Sequence, residues 1–182
     1  MRKLYEYSHL GGKEILRENF APLDAEVDKV IDAVTPQRTK QSKEKHKQGK
    51  MLYSPKALNK EFRQQFSTFG WTELRDKYVI SINDRGYSAE VKGVFKQIDF
   101  MKDKVLCEVQ LGKYFAMFYD LAKFQYFFNK HLAGVGIEIV PTHNLKKQMS
   151  SGVSYGEQLV FDLERIGRNF PSVPVKVILV DA

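Results

Sequence analysis

The residues best suited to chemistry lie in one short stretch, Ile98-Asp99-Phe100-Met101-Lys102-Asp103-Lys104-Val105-Leu106-Cys107-Glu108-Val109-Gln110. An acidic residue, Asp99, ends one apolar run, a charged turn follows, and Glu108 and Gln110 stand in a second apolar run. Strand side chains alternate between faces, so Glu108 and Gln110 point one way and Val109 the other. If the two runs pair through the turn at Lys102 to Lys104, Asp99 comes alongside Glu108. Two carboxylates, an amide and the Val109 carbonyl then meet at one end of a buried sheet. Hard divalent cations take oxygen ligands of this kind, and Mg²⁺ binds one or two carboxylates together with phosphate oxygens and water. The competing reading of the same spacing is a solvated hairpin turn that binds nothing.

Charge supplies a second signal. The chain carries a formal net charge of +7, and Arg38, Lys40, Lys43, Lys45, Lys47 and Lys50 face only Glu44 between Pro36 and Lys50. A clustered excess suits a polyanion, because each phosphate neutralised releases condensed counterions. A solvated basic loop would look the same. An acidic metal site within a basic chain tilts the reading towards a nuclease, which needs both.

These residues must be positioned by a fold. A chain of 182 residues, 43% hydrophobic with thirteen Phe, is read as one globular domain over residues 1–182. Its one cysteine, Cys107, excludes an internal disulfide and fits a reducing, cytoplasmic setting. No leader-like segment opens it and no apolar run reaches membrane-spanning length, so no membrane association is expected. Met1 to Ser8 reads as a strand, Lys13 to Asn19 as a short helix, and Leu23 to Val34 as an amphipathic helix. Ser54-Pro55 starts another helix, with Ser as cap and Pro in the first turn. Tyr78 to Ile82, Val94 to Phe100, Lys104 to Leu111, Gly136 to Val140 and Val173 to Val180 read as strands. Tyr114 to Leu132 is apolar nearly all round; as a helix it needs cover on more than one side, from the core or from a second subunit. A helix marked by Tyr155, Leu159, Leu163 and Ile166 completes an α/β fold: a central mixed β-sheet flanked by helices, with a helical N-terminal third.

The pattern Asp-x8-Glu-Val-Gln resembles the PD-(D/E)xK nucleases, and within them the type II restriction endonucleases of the BamHI, BglII and BstYI group. Tyr7-Ser8-His9-Leu10, Ser42-Lys43-Glu44-Lys45, Leu52-Tyr53-Ser54-Pro55, Gly112-Lys113-Tyr114 and Met149-Ser150-Ser151-Gly152 extend the likeness in order along most of the chain, most closely to BstYI. Two departures stand out. Gln110 replaces the signature's usual Lys, and the segment from Trp71 to Gln97 is shorter than expected of BstYI.

The resemblance implies Mg²⁺-dependent hydrolysis of double-stranded DNA phosphodiesters at a short palindromic site, GATC-centred, with 5′ overhangs. It implies that Asp99, Glu108 and the Val109 carbonyl hold the metal, which polarises the phosphate and acidifies water. Gln110, unable to take a proton, is left to position water or phosphate, and Glu73 resembles a helix-borne residue near the metal. Gly112, Lys113, Ser150 and Ser151 match positions that read base edges, whereas Lys43, Lys45, Lys47 and Lys50 are expected to grip phosphates. A palindromic target implies a homodimer, with the aromatic helix from Phe115 to Phe128 in its interface, and a cognate DNA methyltransferase in the same system. The alternatives are a repair or structure-specific nuclease on the same fold, and a DNA-binding protein with an inactive site. The four histidines and Cys107 show no metal-ligand or nucleophile spacing.

Overall fold

The computed structural model describes residues 1–182. A six-stranded sheet forms its centre, built from β1 (Arg2–His9), β4 (Thr72–Asp84), β5 (Tyr87–Lys102), β6 (Val105–Val109), β7 (Val135–Pro141) and β8 (Val175–Asp181), in the order β1-β8-β7-β6-β5-β4. β6, β7 and β8 run parallel, and the remaining pairs are antiparallel, so the sheet is mixed. Every residue of the three parallel strands is buried, as their continuous apolar runs require once helices cover both faces. A separate two-stranded ribbon joins β2 (Arg38–Gln41) to β3 (Met51–Tyr53).

Six helices cover the sheet: α1 (Gly12–Asn19), α2 (Ala21–Ala33), α3 (Pro55–Thr68), α4 (Tyr114–Asn129), α5 (His143–Lys147) and α6 (Gly156–Ile166). On one face, Leu16, Val27, Ile31, Leu58, Phe62 and Phe66 from α1 to α3 pack with Phe100, Val105, Cys107 and Val109. On the other, Met117, Leu121, Phe124 and Phe127 of α4 and Leu159 and Leu163 of α6 pack with Ile98, Leu106, Val175 and Val177. The Ser54 hydroxyl accepts from the Ala57 amide at 3.4 Å, closing the N-terminus of α3 as its Ser-Pro sequence predicts. No helix is long and apolar enough to cross a membrane.

Three elements depart from the sequence reading. Of the basic segment, Arg38 and Lys40 lie on β2, a strand the sequence did not announce, while Lys43, Lys45, Lys47 and Lys50 lie in the connection to β3. β4 and β5 form a hairpin much longer than Tyr78 to Ile82 suggested; towards its tip Ile80, Ile82, Tyr87 and Val91 are exposed on one face. Most important for the site, β5 carries a bulge. Its pairing with β4 slips from Thr72↔Met101 to Leu74↔Ile98. Phe100 therefore packs with Cys107 on the α1–α3 side, whereas Ile98, two residues earlier, packs on the α4 side. Bulges re-aim side chains in this way, and here Asp99 lies within the slip.

Candidate active site

The antiparallel ladder between β5 and β6 pairs Met101 with Leu106 and Phe100 with Cys107, and Asp99 follows in the bulge, close enough for its charge to act on Glu108. The hairpin expected from sequence is thus present, and its carboxylates come together near the end of β6. Cys107 faces the core and is fully buried, where desolvation first, and then the charge of Glu108, hold its thiol protonated.

Helix α4 completes the cluster. Asp120, 2% exposed, accepts a hydrogen bond from Gln110 Nε2 at 2.6 Å, and its other oxygen meets Lys123 Nζ at 2.8 Å. Lys123 also forms an ion pair with Glu108. From the parallel neighbour strand, Glu138 stands directly opposite Glu108 in register, fully buried, with both carboxyl oxygens lacking a hydrogen-bond partner. Glu108 and Asp120 thus share one ammonium, with the carboxyl groups of Asp99 and Glu138 near enough to interact with them through charge.

Electrostatics follow from that arrangement. Burial, then the Asp120 charge, push Glu108 up to about 8, against the pull of Lys123. Burial likewise raises Asp120 despite Lys123 and Gln110, and raises Glu138 well above the ordinary carboxylate range, with Asp120 and Glu108 adding to it. Lys123 is raised in turn: burial disfavours its charge, but Glu108 and Asp120 more than offset it. A cluster short of positive charge and offering carboxylate and carbonyl oxygens is suited to a hard divalent cation. No three His, Cys, Asp or Glu side chains converge to hold an ion by themselves. The donor set fits one all the same, as two carboxylates, Asp99 and Glu108, supplemented by the Val109 carbonyl.

Glu73 sits in a different element from the one the resemblance implies. It lies on β4 rather than on a helix, its side chain is exposed, and its partners are Gln97 (2.7 Å) and Arg75 (3.1 Å). On β4 it falls between Thr72↔Met101 and Leu74↔Ile98, so it stands across the ladder from the bulge that carries Asp99.

Gly112 leaves room that a side chain would fill: a Cβ there would stand 2.6 Å from Gln110 Oε1. Gln110 Nε2 is held by Asp120, and its Oε1 lies in the space that a side chain at 112 would occupy. Lys113 is exposed at the start of α4. The Gly112 carbonyl accepts from the Ser154 amide at 2.8 Å, which brings the 112–113 segment to the loop carrying Ser150 and Ser151. That loop is tied in turn to the ribbon. Lys40 Nζ donates to Ser150 Oγ (2.7 Å), the Ser151 amide donates to Glu44 (2.9 Å), and Lys47 Nζ donates to the Met149 carbonyl (2.8 Å). Arg38 meets Gln148, and a cleft of about 350 Å³ opens between Arg38, Lys47, Lys50, Lys147 and Gln148. Lys43, Lys45 and Lys50 are exposed, whereas Lys47 is half-buried by its bond to Met149.

Sequence reasoning missed Asp120, Lys123 and Glu138. Each carried a signal: a Glu inside the buried strand Gly-Ile-Glu-Ile-Val, and a charged pair one turn apart on an otherwise apolar helix. A charged residue in the middle of a buried element needs a partner or a task.

Comparison with known proteins fits this geometry. A family model described as restriction endonuclease BglII/BglIII matches residues 4–180. Among solved structures, BglII complexed with a DNA 16-mer superposes with a TM-score of 0.74 at 22% identity, covering 100% of this chain and 78% of that one. Free BglII superposes with a TM-score of 0.68 at 19% identity, covering 100% and 80%. At these identities the structural likeness establishes the fold. No curated protein matches the sequence significantly. With the family model spanning nearly all of it, the chain belongs to the BglII/BglIII restriction endonuclease family and is a type II site-specific deoxyribonuclease.

Proposed function

We propose that this chain hydrolyses double-stranded DNA at a short palindromic site, GATC-centred and of the RGATCY kind, leaving 5′ overhangs and requiring Mg²⁺. The observation that carries the metal-dependent reading is the half-buried Asp99 close enough for its charge to act on the buried Glu108, in a cluster with more carboxyl groups than cations. Asp99, Glu108 and the Val109 carbonyl would hold the ion. A divalent cation there supplies Lewis-acid polarisation of the scissile phosphate and acidifies water.

The chain's own residues orient and exclude. Asp120 fixes the Gln110 amide, which leaves the Gln110 carbonyl turned towards Gly112 to position water or phosphate. Glu108, Asp120 and Glu138 are buried, and exclusion from bulk water strengthens the charge interactions among them.

Recognition is proposed to lie at the carboxyl ends of β6 and β7, where open α/β sheets bind ligands. Lys113, Ser150 and Ser151 would donate to base edges, Gly112 would allow close backbone approach, and Lys43, Lys45 and Lys50 would grip phosphates. Lys47 would contribute by fixing the reading loop as well as by its charge. A two-fold target calls for a homodimer, and the exposed Phe115 and Tyr119 of α4 are the side chains proposed for its interface. The cognate methyltransferase would protect the same site.

The test is digestion of a plasmid of known sequence with Mg²⁺ and with EDTA, for the wild type and Glu108→Ala. Discrete Mg²⁺-dependent fragments, absent for the variant, are expected, and sequencing their ends reads the site and overhang. A smear of products would point to a nuclease without site preference. Intact plasmid with DNA still bound would leave a binding protein.

A further inference from the structure

Hydrolysis of a phosphodiester adds negative charge where the substrate already has it. The water oxygen bonds to phosphorus, and the bond from phosphorus to one bridging deoxyribose oxygen breaks. That oxygen leaves with one proton of the water, and the second proton passes to solvent as the monoester becomes a dianion. The charge on the phosphoryl oxygens rises from one to two, so cations fixed close to the site stabilise the transition state more than the ground state. Gln110, the amide beside Glu108 on β6, cannot supply such a charge.

Helix α4 can. Lys123 Nζ is the one ammonium in contact with Glu108 and Asp120, and its side chain retains 12% exposure. An ammonium has three N–H donors. Two point at Glu108 and Asp120, and the third has no protein partner. The face of the half-exposed Tyr119 ring lies 5.7 Å from Nζ and favours the charge there. The position is costly for mere structure, since burying a lysine loses hydration and rotamer freedom that an alanine on an apolar helix would not.

We propose that Lys123, resting on the nuclease reading above, is a catalytic cation of this site: it offers its free N–H to the scissile phosphate while its other two hold Glu108 and Asp120 in place. Asp120 is the positioning residue that links it to Gln110. The geometry also provides its own rescue. Gln110 Nε2 already sits 2.6 Å from the Asp120 oxygen that Lys123 does not hold, so a lysine at position 110 would bring an ammonium to the same carboxylate.

The experiment measures single-turnover cleavage with Mg²⁺ and DNA binding by fluorescence anisotropy with Ca²⁺. It uses the wild type, Glu108→Ala, Lys123→Met, Lys123→Arg and the double variant Gln110→Lys/Lys123→Met. Lys123→Met is expected to cleave about 100- to 1,000-fold more slowly, the range for losing one fixed transition-state donor, with DNA affinity changed less than about threefold. Lys123→Arg should stay within about tenfold of the wild type, and the double variant should regain at least about tenfold over Lys123→Met. A Lys123→Met enzyme that cleaves at the wild-type rate overturns the proposal, as does a folded double variant with no recovery. If Lys123→Met does not fold, the double variant decides by its own rate; loss of the fold in both assigns Lys123 to structure alone and overturns it too. Failure of the nuclease site itself looks different: the wild type and Glu108→Ala would then behave alike.

Discussion

Glu138 offers a sharp test of the electrostatics, because its expected effect runs against the usual outcome of core substitution. Its carboxyl is fully buried and accepts no hydrogen bond, and only a proton shared with the Asp120 carboxyl would partner it. A buried polar group left unpaired costs about 1–3 kcal/mol, so Glu138→Met, close in length and free of the carboxyl, should stabilise the metal-free protein by about 2 kcal/mol. For a domain of this size that corresponds to a rise in Tm of about 4–8 °C. The pH dependence gives the sign a second check. Burial, then Asp120 and Glu108, hold the folded-state pKa of Glu138 above its ordinary value near 4.5. The folded state therefore binds this proton more tightly than the unfolded chain, and the wild type loses stability as pH rises from about 4.5 towards the folded pKa. Glu138→Met removes that loss, so its advantage should be smallest near pH 4.5 and widen towards pH 8. Thermal and urea melts in EDTA across that interval measure both effects. A variant less stable than the wild type at pH 8, or an advantage that does not grow with pH, would refute the reading of Glu138 as an unpaired, charge-averse group.

Three further outcomes are expected. Because Glu108 is pushed up to about 8 and must lose its proton to hold a metal, Ca²⁺ affinity should rise about tenfold from pH 6.5 to 7.5 and level off above about pH 8; calorimetry in two buffers should count about one proton released, and a flat profile would exclude Glu108 as a ligand. Gly112→Ala should leave Tm within a few degrees, yet it moves the Gln110 amide by about 0.8 Å to reach ordinary contact and should slow cleavage about 10- to 100-fold; unchanged turnover on the cognate site would separate Gly112 from the active site. Lys176, 1% exposed and paired with Glu6 and Asp24 at 2.8 and 2.7 Å, should destabilise the fold by about 3 kcal/mol as Lys176→Met. Burial opposes it, but Lys13, Lys176 and Lys3 together hold Glu6 down to about 2, so that contribution is present above about pH 4.5 and is lost in acid towards pH 2. Urea melts at pH 3 and pH 7 should show the variant's deficit shrinking in acid, and an equal deficit at both would sink the assignment.

Much of the fold was legible because its signals are local. The strand periodicities, the Ser54-Pro55 cap and the stripe Leu58, Phe62 and Phe66 each report on neighbours a few residues away. The β5–β6 hairpin was legible for the same reason, since a short charged turn sets both strands in register. The bulge that lets Ile98 and Phe100 serve opposite faces left no mark in the sequence; it depends on how β4 meets β5 across the hairpin. Asp120 and Glu138 reach Glu108 through the parallel crossover from β6 to β7, a contact no local pattern encodes. Glu73 lies on a strand where the resemblance implied a helix, because the run from Thr72 onward pairs with β5, with a slip at Glu73 itself. The ribbon at Arg38–Tyr53 escaped because its residues are charged and exposed, the pattern of a loop, and its order comes from contacts with residues 148–151.

Those contacts bear on how such an enzyme could acquire a new target. Lys40 holds Ser150 and Glu44 holds the Ser151 amide across about a hundred residues of chain. Under the proposed reading role, a mutation at Ser150 that favours another base also strands the Lys40 ammonium and loosens the loop. A change at Lys40 or Glu44 alone disturbs a loop whose bases it never touches. Neither step is adaptive by itself, so a shift of specificity would have to pass through paired substitutions in two distant segments. Ribbon and loop would then be inherited as one unit, and lineages that diverge in target should diverge at both places together.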